Sequence, residues 1–362
     1  MNIQKATRSY ESWLGKRIRL IGPDLKKKHA AMVADAFCFL RATFYRWMQL
    51  WPEICEDCAL APRVLAVGDL HVENFGTWRD VEGRLVWGIN DFDEAYELPY
   101  TLDLVRLAAS SHLAIREAHL GLEPGDACET ILGGYEKGLA CGGAALVLEE
   151  HHAWLRSMVS GVLRDPKHFW EKLDALPTLE SRIPASARRA MEKMMPARHL
   201  ACRVVHRVAG LGSLGRERFV AIAEYCGGKI AREAKALAPS ACVWADDKRH
   251  SAGIRYQDIL ESAVRSIDPY VEMKECWIVR RLAPDCSRVE LASVPRERDE
   301  TRLLYSMGFE TANVHLGNRK SAKRIVKDLL KRPKRWLHRA AEDMVKATLA
   351  DWDDWRGKAG PP

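Results

Sequence analysis

Apolar residues recur at helical spacing in the first part of the chain. Over residues 28–50, Met32, Ala36, Phe39 and Leu40 mark one face of a long helix, and Pro52 reads as its stop. The spacing then changes to that of short strands. Arg63-Val64-Leu65-Ala66-Val67 reads as a strand that runs into Gly68-Asp69, and residues 84–89 read as a second that runs into Asn90-Asp91. Helical periodicity resumes over 101–120, 126–139, 145–163 and 184–196, with Asp126 as an expected N-cap and Pro184 opening the last of these.

The pattern changes again near residue 201. Residues 202–209 and 218–223 read as strands around Gly210-Leu211-Gly212-Ser213-Leu214-Gly215, and a third extended piece leads through a Gly227-Gly228 turn to Lys235. A helix over 256–266 and a strand over 276–280 follow, and from Arg298 the chain reads as helical. The expected class is α+β in three stretches: a helical catalytic part over 1–200, a β-rich part over 201–295, and helices over 296–362 that complete the first.

Composition removes several classes. The 362 residues are 47% apolar and 29% charged, which is globular usage rather than that of a disordered chain. No run approaches the length of a membrane span and the start has no apolar signal core, so a cytoplasmic protein is expected. Its ten cysteines are expected to be reduced, and Cys55-Glu56-Asp57-Cys58 has no second pair with which to close a zinc site. The net charge of +7 is modest for this length. The basic run from Lys320 to Arg339 reads as a solvated helix face rather than a nucleic-acid surface. The His151-His152 pair, without acidic or cysteine partners at metal spacing, reads as helix surface.

Candidate chemistry concentrates in two strand-end loops. In Gly68-Asp69-Leu70-His71-Val72-Glu73-Asn74, an aspartate leaves a strand and an asparagine follows five residues later; a second strand delivers Asp91 and Asp93. Phosphoryl transfer uses this set. One carboxylate orients or deprotonates the attacking hydroxyl, and an asparagine oxygen with further carboxylates holds Mg2+ against a triphosphate. Asp69 is therefore the candidate catalytic carboxylate and Asn74, Asp91 and Asp93 the candidate metal ligands, with His71 either orienting Asp69 or packing under the loop. Asp103 is either a helix N-cap or a support for the first loop. Gly210, Gly212, Ser213 and Gly215 lie between strands, where backbone amides can approach phosphate oxygens. Lys235 is the candidate phosphate lysine, with Arg232 as a rival; Glu261 is its candidate partner, with Glu233 and Asp258 as rivals.

The GDLHVEN and NDFDEA segments resemble the corresponding blocks of aminoglycoside and choline phosphotransferases. Together with Phe39-Leu40-Arg41, Asp103-Leu104-Val105-Arg106-Leu107, residues 207–215 and Lys235-x-x-x-Pro239-Ser240, the chain resembles bacterial domain-of-unknown-function family 2252 over most of residues 28–317. The resemblance implies kinase-like ancestry rather than a substrate, with a catalytic role for Asp69 and metal ligation by Asn74 and Asp91. Mg2+ and ATP are the expected cofactors. A small-molecule acceptor is expected because the sequence has no dedicated polypeptide-docking segment, and nucleic acid is not expected as a partner. The glycine loop follows the catalytic loop, whereas in ordinary kinases it precedes it. A two-lobed, circularly permuted kinase-like fold accounts for that order. A catalytically inactive nucleotide-binding scaffold and an AMP transferase on the same fold are the alternatives. A metallophosphoesterase is disfavoured because its further metal-binding blocks are missing.

Overall fold

The computed structural model describes residues 1–149, 151–160, 165–180, 183–246, 253–286, 288 and 299–359. The chain begins with α1 (Ile3–Gly15), α2 (Gly22–Ala34), α3 (Ala36–Ala42), α4 (Phe44–Ile54) and α5 (Glu56–Ala59), followed by β1 (Arg63–Ala66), β2 (Phe75–Arg79), β3 (Leu85–Ile89) and β4 (Tyr96–Pro99). Next come α6 (Tyr100–Arg116), α7 (Pro124–Cys141), β5 (Leu146–Val147), α8 (Ala153–Ser160), α9 (Pro166–Asp174) and α10 (Ala185–Lys193). The strands β6 (Cys202–His206), β7 (Arg218–Tyr225) and β8 (Gly228–Ala236) lead to α11 (Ala241–Ala245), α12 (Tyr256–Ser262), β9 (Val271–Lys274) and β10 (Trp277–Leu282). The chain closes with α13 (Glu300–His315), α14 (Arg319–Leu329) and α15 (Trp336–Ala359). The class is α+β, and no helix among the described residues is long and apolar enough to cross a membrane.

Several sequence expectations shift. The helix expected over 28–50 is three helices. The Asp35 carboxylate accepts from the Cys38 N–H at 2.6 Å and starts α3, and a non-helical Thr43 separates α3 from α4. Pro52 lies inside α4 rather than ending it. The N-cap of α7 is Glu123, before Pro124; Asp126 sits in the first turn. The helix expected over 145–163 is the short β5 followed by α8, with 161–164 outside the described residues, and His151-His152 precede α8 rather than lying on it.

Helix α6 is the centre of the larger core. Leu102, Leu104, Leu107 and Leu113 are fully buried, each contributing about 1.5–3 kcal/mol by leaving water. Helix α13 packs on α7 with backbones nearly touching: a Cβ at Gly134 would stand 1.9 Å from Tyr305 O, and one at Gly308 would stand 2.0 Å from Ile131 O. Only glycine permits that approach, and it carries α13 under the acidic loops.

β6, β7, β8, β10 and β9 form, in that order, one antiparallel sheet. Its two faces have different partners. Phe219, Ala221, Ala234, Ala236, Trp277 and Val279 pack against α10, while Val220, Ile222, Ala231 and Leu282 pack against Phe169 and Leu173 of α9. Helices α9 and α10 thus pack with the sheet, and the boundary expected at residue 200 falls after two of the sheet's own covering helices.

Candidate functional site

Strand alternation puts a polar row on the sheet. Lys235 is paired with Arg218 and Ile278, and Glu233 with Val220 and Arg280, so Arg218, Glu233, Lys235 and Arg280 share the face on which α9 packs, beyond the apolar part that α9 covers. Arg232 points to the opposite face, where its Nε donates to Met194 O and its guanidinium stacks on Tyr270. It does not compete with Lys235. Glu233 is fully buried and accepts from Arg218 Nη1 at 2.9 Å, Arg280 Nε at 2.8 Å and Arg207 Nη1 at 2.5 Å. Burial alone would raise its carboxyl, but the three guanidiniums hold it well below the usual range. Three cations on one carboxylate leave this patch positive.

The first acidic loop is held from below. Asp103, in the first turn of α6 and fully buried, accepts from Val67 N–H at 2.7 Å and Gly68 N–H at 2.9 Å. It also accepts from His315 Nε2 of α13 at 3.0 Å, and Tyr135 meets the other ring nitrogen at 2.8 Å. Asp103 is therefore the loop's support rather than an N-cap. The same helix α13 supports the second loop: Glu310 accepts from Ile89 N–H at 3.2 Å, just before Asn90-Asp91. Gly68, at φ +82°, passes so close to Glu94 that an added Cβ would lie 2.5 Å from its carbonyl oxygen.

Asp69 is bound by Arg106, whose Nε donates to Oδ1 at 2.8 Å. Arg106 is fully buried, donates to Leu40 O at 2.9 Å and stacks on Phe44 and Trp47. Burial raises the Asp69 carboxyl, and Arg106 opposes that rise. His71 makes no hydrogen bond to Asp69. Its Nδ1 lies 3.2 Å from the Glu73 N–H, which places the ring proton on Nε2, and burial together with Arg41, Arg106 and Arg288 pushes its pKa well below the ordinary value. His71 is a neutral donor rather than the group that orients Asp69.

Asn74 Nδ2 donates to Asp69 O at 2.8 Å, which leaves Oδ1 as the atom available to a cation. Lys235 Nζ stands 2.6 Å from Asp93 Oδ1 and 3.3 Å from Asp91 Oδ1. Burial would raise Asp91, but Lys235, a hydrogen bond with Asp93, and Arg280 and Arg218 hold it below the usual carboxylate range. Burial and the charge of Asp91 push Asp93 the other way. Arg216 reaches Asp93 Oδ2 at 3.4 Å and Glu94 Oε1 at 3.1 Å. Glu261 is exposed and accepts from Gln257, so the expected pairing of Glu261 with Lys235 is replaced by Asp91 and Asp93; Asp258 pairs with Arg255.

These elements enclose a cavity of about 620 Å³ lined by Asp69, His71, Asn74, Asp91, Asp93, Gly210, Gly212, Ser213 and Glu261, among others. Two expected residues do not line it: Lys235 is buried behind Asp91 and Asp93, and Gly215, at φ +95°, packs against Leu25. The glycine loop lies directly on Asp69: a Cβ at Gly212 would stand 3.4 Å from Asp69 Oδ2 and 3.0 Å from Arg41 O. Arg218 Nη2 donates to Ser213 Oγ at 2.8 Å and fixes the loop to the sheet.

Lys28 reaches into the cavity, donates to Gly212 O at 3.1 Å, and is lowered by burial to about 8. Sequence reasoning missed it, because one lysine among Lys26, Lys27 and Lys28 carries no local mark. It also assigned no role to Arg106.

Residues 22–151 match the model of a family described as an uncharacterized protein conserved in bacteria, DUF2252. The matched segment holds Asp69, His71, Asn74, Asp91, Asp93, Asp103 and Arg106, and the glycine loop and Lys235 lie beyond it. No curated protein and no solved structure matches the chain.

Proposed function

We propose that the protein is a Mg2+- and ATP-dependent phosphotransferase with a permuted, two-lobed kinase-like arrangement, acting in the cytoplasm on a small acceptor. The observation that carries this reading is the shared cavity: the Asp69 and Asp91 loops and the Gly210–Gly215 loop, far apart in sequence, line one space. In this reading Asp69 Oδ2, the oxygen not bonded to Arg106, orients the acceptor hydroxyl. His71 offers Nε2–H to an acceptor or phosphate oxygen. The Arg207, Arg218 and Arg280 patch lines the cavity and would face the phosphates, with Lys235 behind Asp91 and Asp93, and the glycine loop would bring backbone amides to those phosphates.

The donor set fits magnesium. Among the described residues Asp69, Asp91 and Asp93 do not bring three ligand oxygens within 4.8 Å of one another, so no all-protein cage is formed. Magnesium does not need one, because one or two carboxylates with water and phosphate oxygens complete its shell. Asn74 Oδ1 and Asp91, with its side chain 37% exposed, are the groups that would hold it. When bound, it would neutralise charge on the transferring phosphoryl group.

Isothermal titration of ATP with and without magnesium, on wild type and Asp91→Ala, tests this reading. Magnesium-dependent binding that disappears in the variant is expected. Failure of the wild type to bind ATP or GTP overturns it. Once binding is seen, ADP as product marks phosphoryl transfer, pyrophosphate marks AMP transfer, and no product marks a scaffold.

A further inference from the structure

A second group of chemically active side chains lies in the helical core, away from the cavity. His112 near the end of α6, Cys128 in α7 and His338 at the start of α15 bring one ligand atom each to within 4.8 Å of one another. His112 Nε2 stands 3.2 Å from Cys128 Sγ and 3.1 Å from Pro124 O, and the His112 and His338 rings are 5.4 Å apart. Cys128 and His112 are buried, and His338 Nδ1 is buried without any hydrogen-bond partner.

A buried ring nitrogen without a partner leaves its desolvation cost uncompensated. A thiol repays little of that to a neighbouring histidine, because sulfur is a weak donor and acceptor. The same three groups suit a borderline-soft cation. With zinc–nitrogen and zinc–sulfur bonds of about 2.0–2.1 and 2.3 Å, tetrahedral ligand atoms stand roughly 3.3–3.8 Å apart. The cluster is already within roughly 1 Å of that spacing. Nitrogen and thiolate ligands without carboxylates disfavour magnesium and calcium and favour zinc.

We propose that His112, Cys128 and His338 form a zinc site with three protein ligands and an open fourth position for water. The ligands come from three helices, so the ion would tie α15 to α6 and α7. The site is independent of the phosphotransferase reading. Local sequence gives no sign of it, since His112 and Cys128 share no motif and His338 is more than two hundred residues away.

The test is zinc content by mass spectrometry of the full chain purified without chelator from zinc-supplemented cells, beside Cys128→Ser and His338→Ala. His338 is only half-buried, so its variant remains informative if Cys128→Ser fails to fold. The expected result is one zinc per chain in the wild type, a melting temperature that falls on chelation and recovers with zinc chloride alone, and loss of the zinc in each variant. A wild type without zinc whose melting temperature is unmoved by zinc chloride overturns the proposal. So does zinc retained in a folded variant, which would place the metal elsewhere, for example at Cys55 and Cys58.

Discussion

Arg106 holds Asp69 from within the core: its Nε lies 2.8 Å from Asp69 Oδ1, and the arginine is fully buried while the Asp69 side chain is 18% exposed. The pair anchors one carboxylate oxygen and turns the other toward the glycine loop. Removing one partner of such a pair leaves an uncompensated charge, at about 3–5 kcal/mol. Arg106→Met is expected to lose that much in urea unfolding, and Arg106→Met with Asp69→Asn to recover part of it in a double-mutant cycle. Asp69→Asn alone is expected to keep Mg2+·ATP binding and lose turnover. Full additivity in the cycle would show that the two do not act as a unit.

Asp103 supplies two acceptors to adjacent backbone amides, so its amide analogue presents a donor where an acceptor is needed. Asp103→Asn is expected to cost about 1–3 kcal/mol, the penalty of an unsatisfied buried group. Faster hydrogen exchange at Val67 and Gly68 than elsewhere in the core would locate the loss. Unchanged exchange at those two amides would contradict the support role.

The glycine loop leaves no room above Asp69. Gly212→Ala meets Arg41 O at 3.0 Å, which a small shift of the loop relieves, and Gly212→Val does not fit. The valine variant is expected to weaken Mg2+·ATP binding by more than about tenfold, roughly 1.4 kcal/mol, and the alanine variant by less. Gly228→Ala, with nothing within 4 Å of the added carbon, is the control and should bind as wild type. Titration calorimetry separates the three.

Glu310 gives the fold a pH signature. Burial raises it from 4.5 to about 7, against the partial opposition of Arg265 and Asn313. Between those two values the folded chain binds more protons than the unfolded chain. Its contribution is therefore complete below about pH 4.5 and is lost as pH rises through about 7. The stability difference between pH 5 and pH 8 is expected to be larger in wild type than in Glu310→Gln by up to about 3 kcal/mol. Urea midpoints at the two pH values measure it, and equal differences in the two proteins would remove Glu310 as the source.

The two acidic loops were legible because each follows a strand marked by its own apolar run, so a turn residue at its end stands out. The sheet was legible for the same reason: strands of alternating residues separated by glycine turns leave little choice of element. What escaped was whatever depends on a distant partner. His315 reaches Asp103, and Arg207 just after β6, Arg218 of β7 and Arg280 of β10 converge on Glu233. Nothing near any of these residues announces the partner. The division of the 28–50 helix was written locally, in the capping carboxylate of Asp35, but the apolar period runs across it and hides the break. β2 was missed because Phe75-Gly76-Thr77-Trp78-Arg79 carries a glycine, which weakens a strand pattern, and its pairing with β3 supplies the order.

Lys235 occupies the position between Asp91 and Asp93 that an incoming cation would contest. With Arg216 on Asp93 and Glu94, these five side chains sum to a single negative charge and form a nearly neutral internal salt. On the proposed function, admission of a dication would be an exchange of partners. A bare ion would displace an ammonium that has nowhere to go, whereas an ion arriving with a polyphosphate would bring the anion that takes the ammonium over. The two ligands are then expected to favour one another's binding, by the same factor in either order.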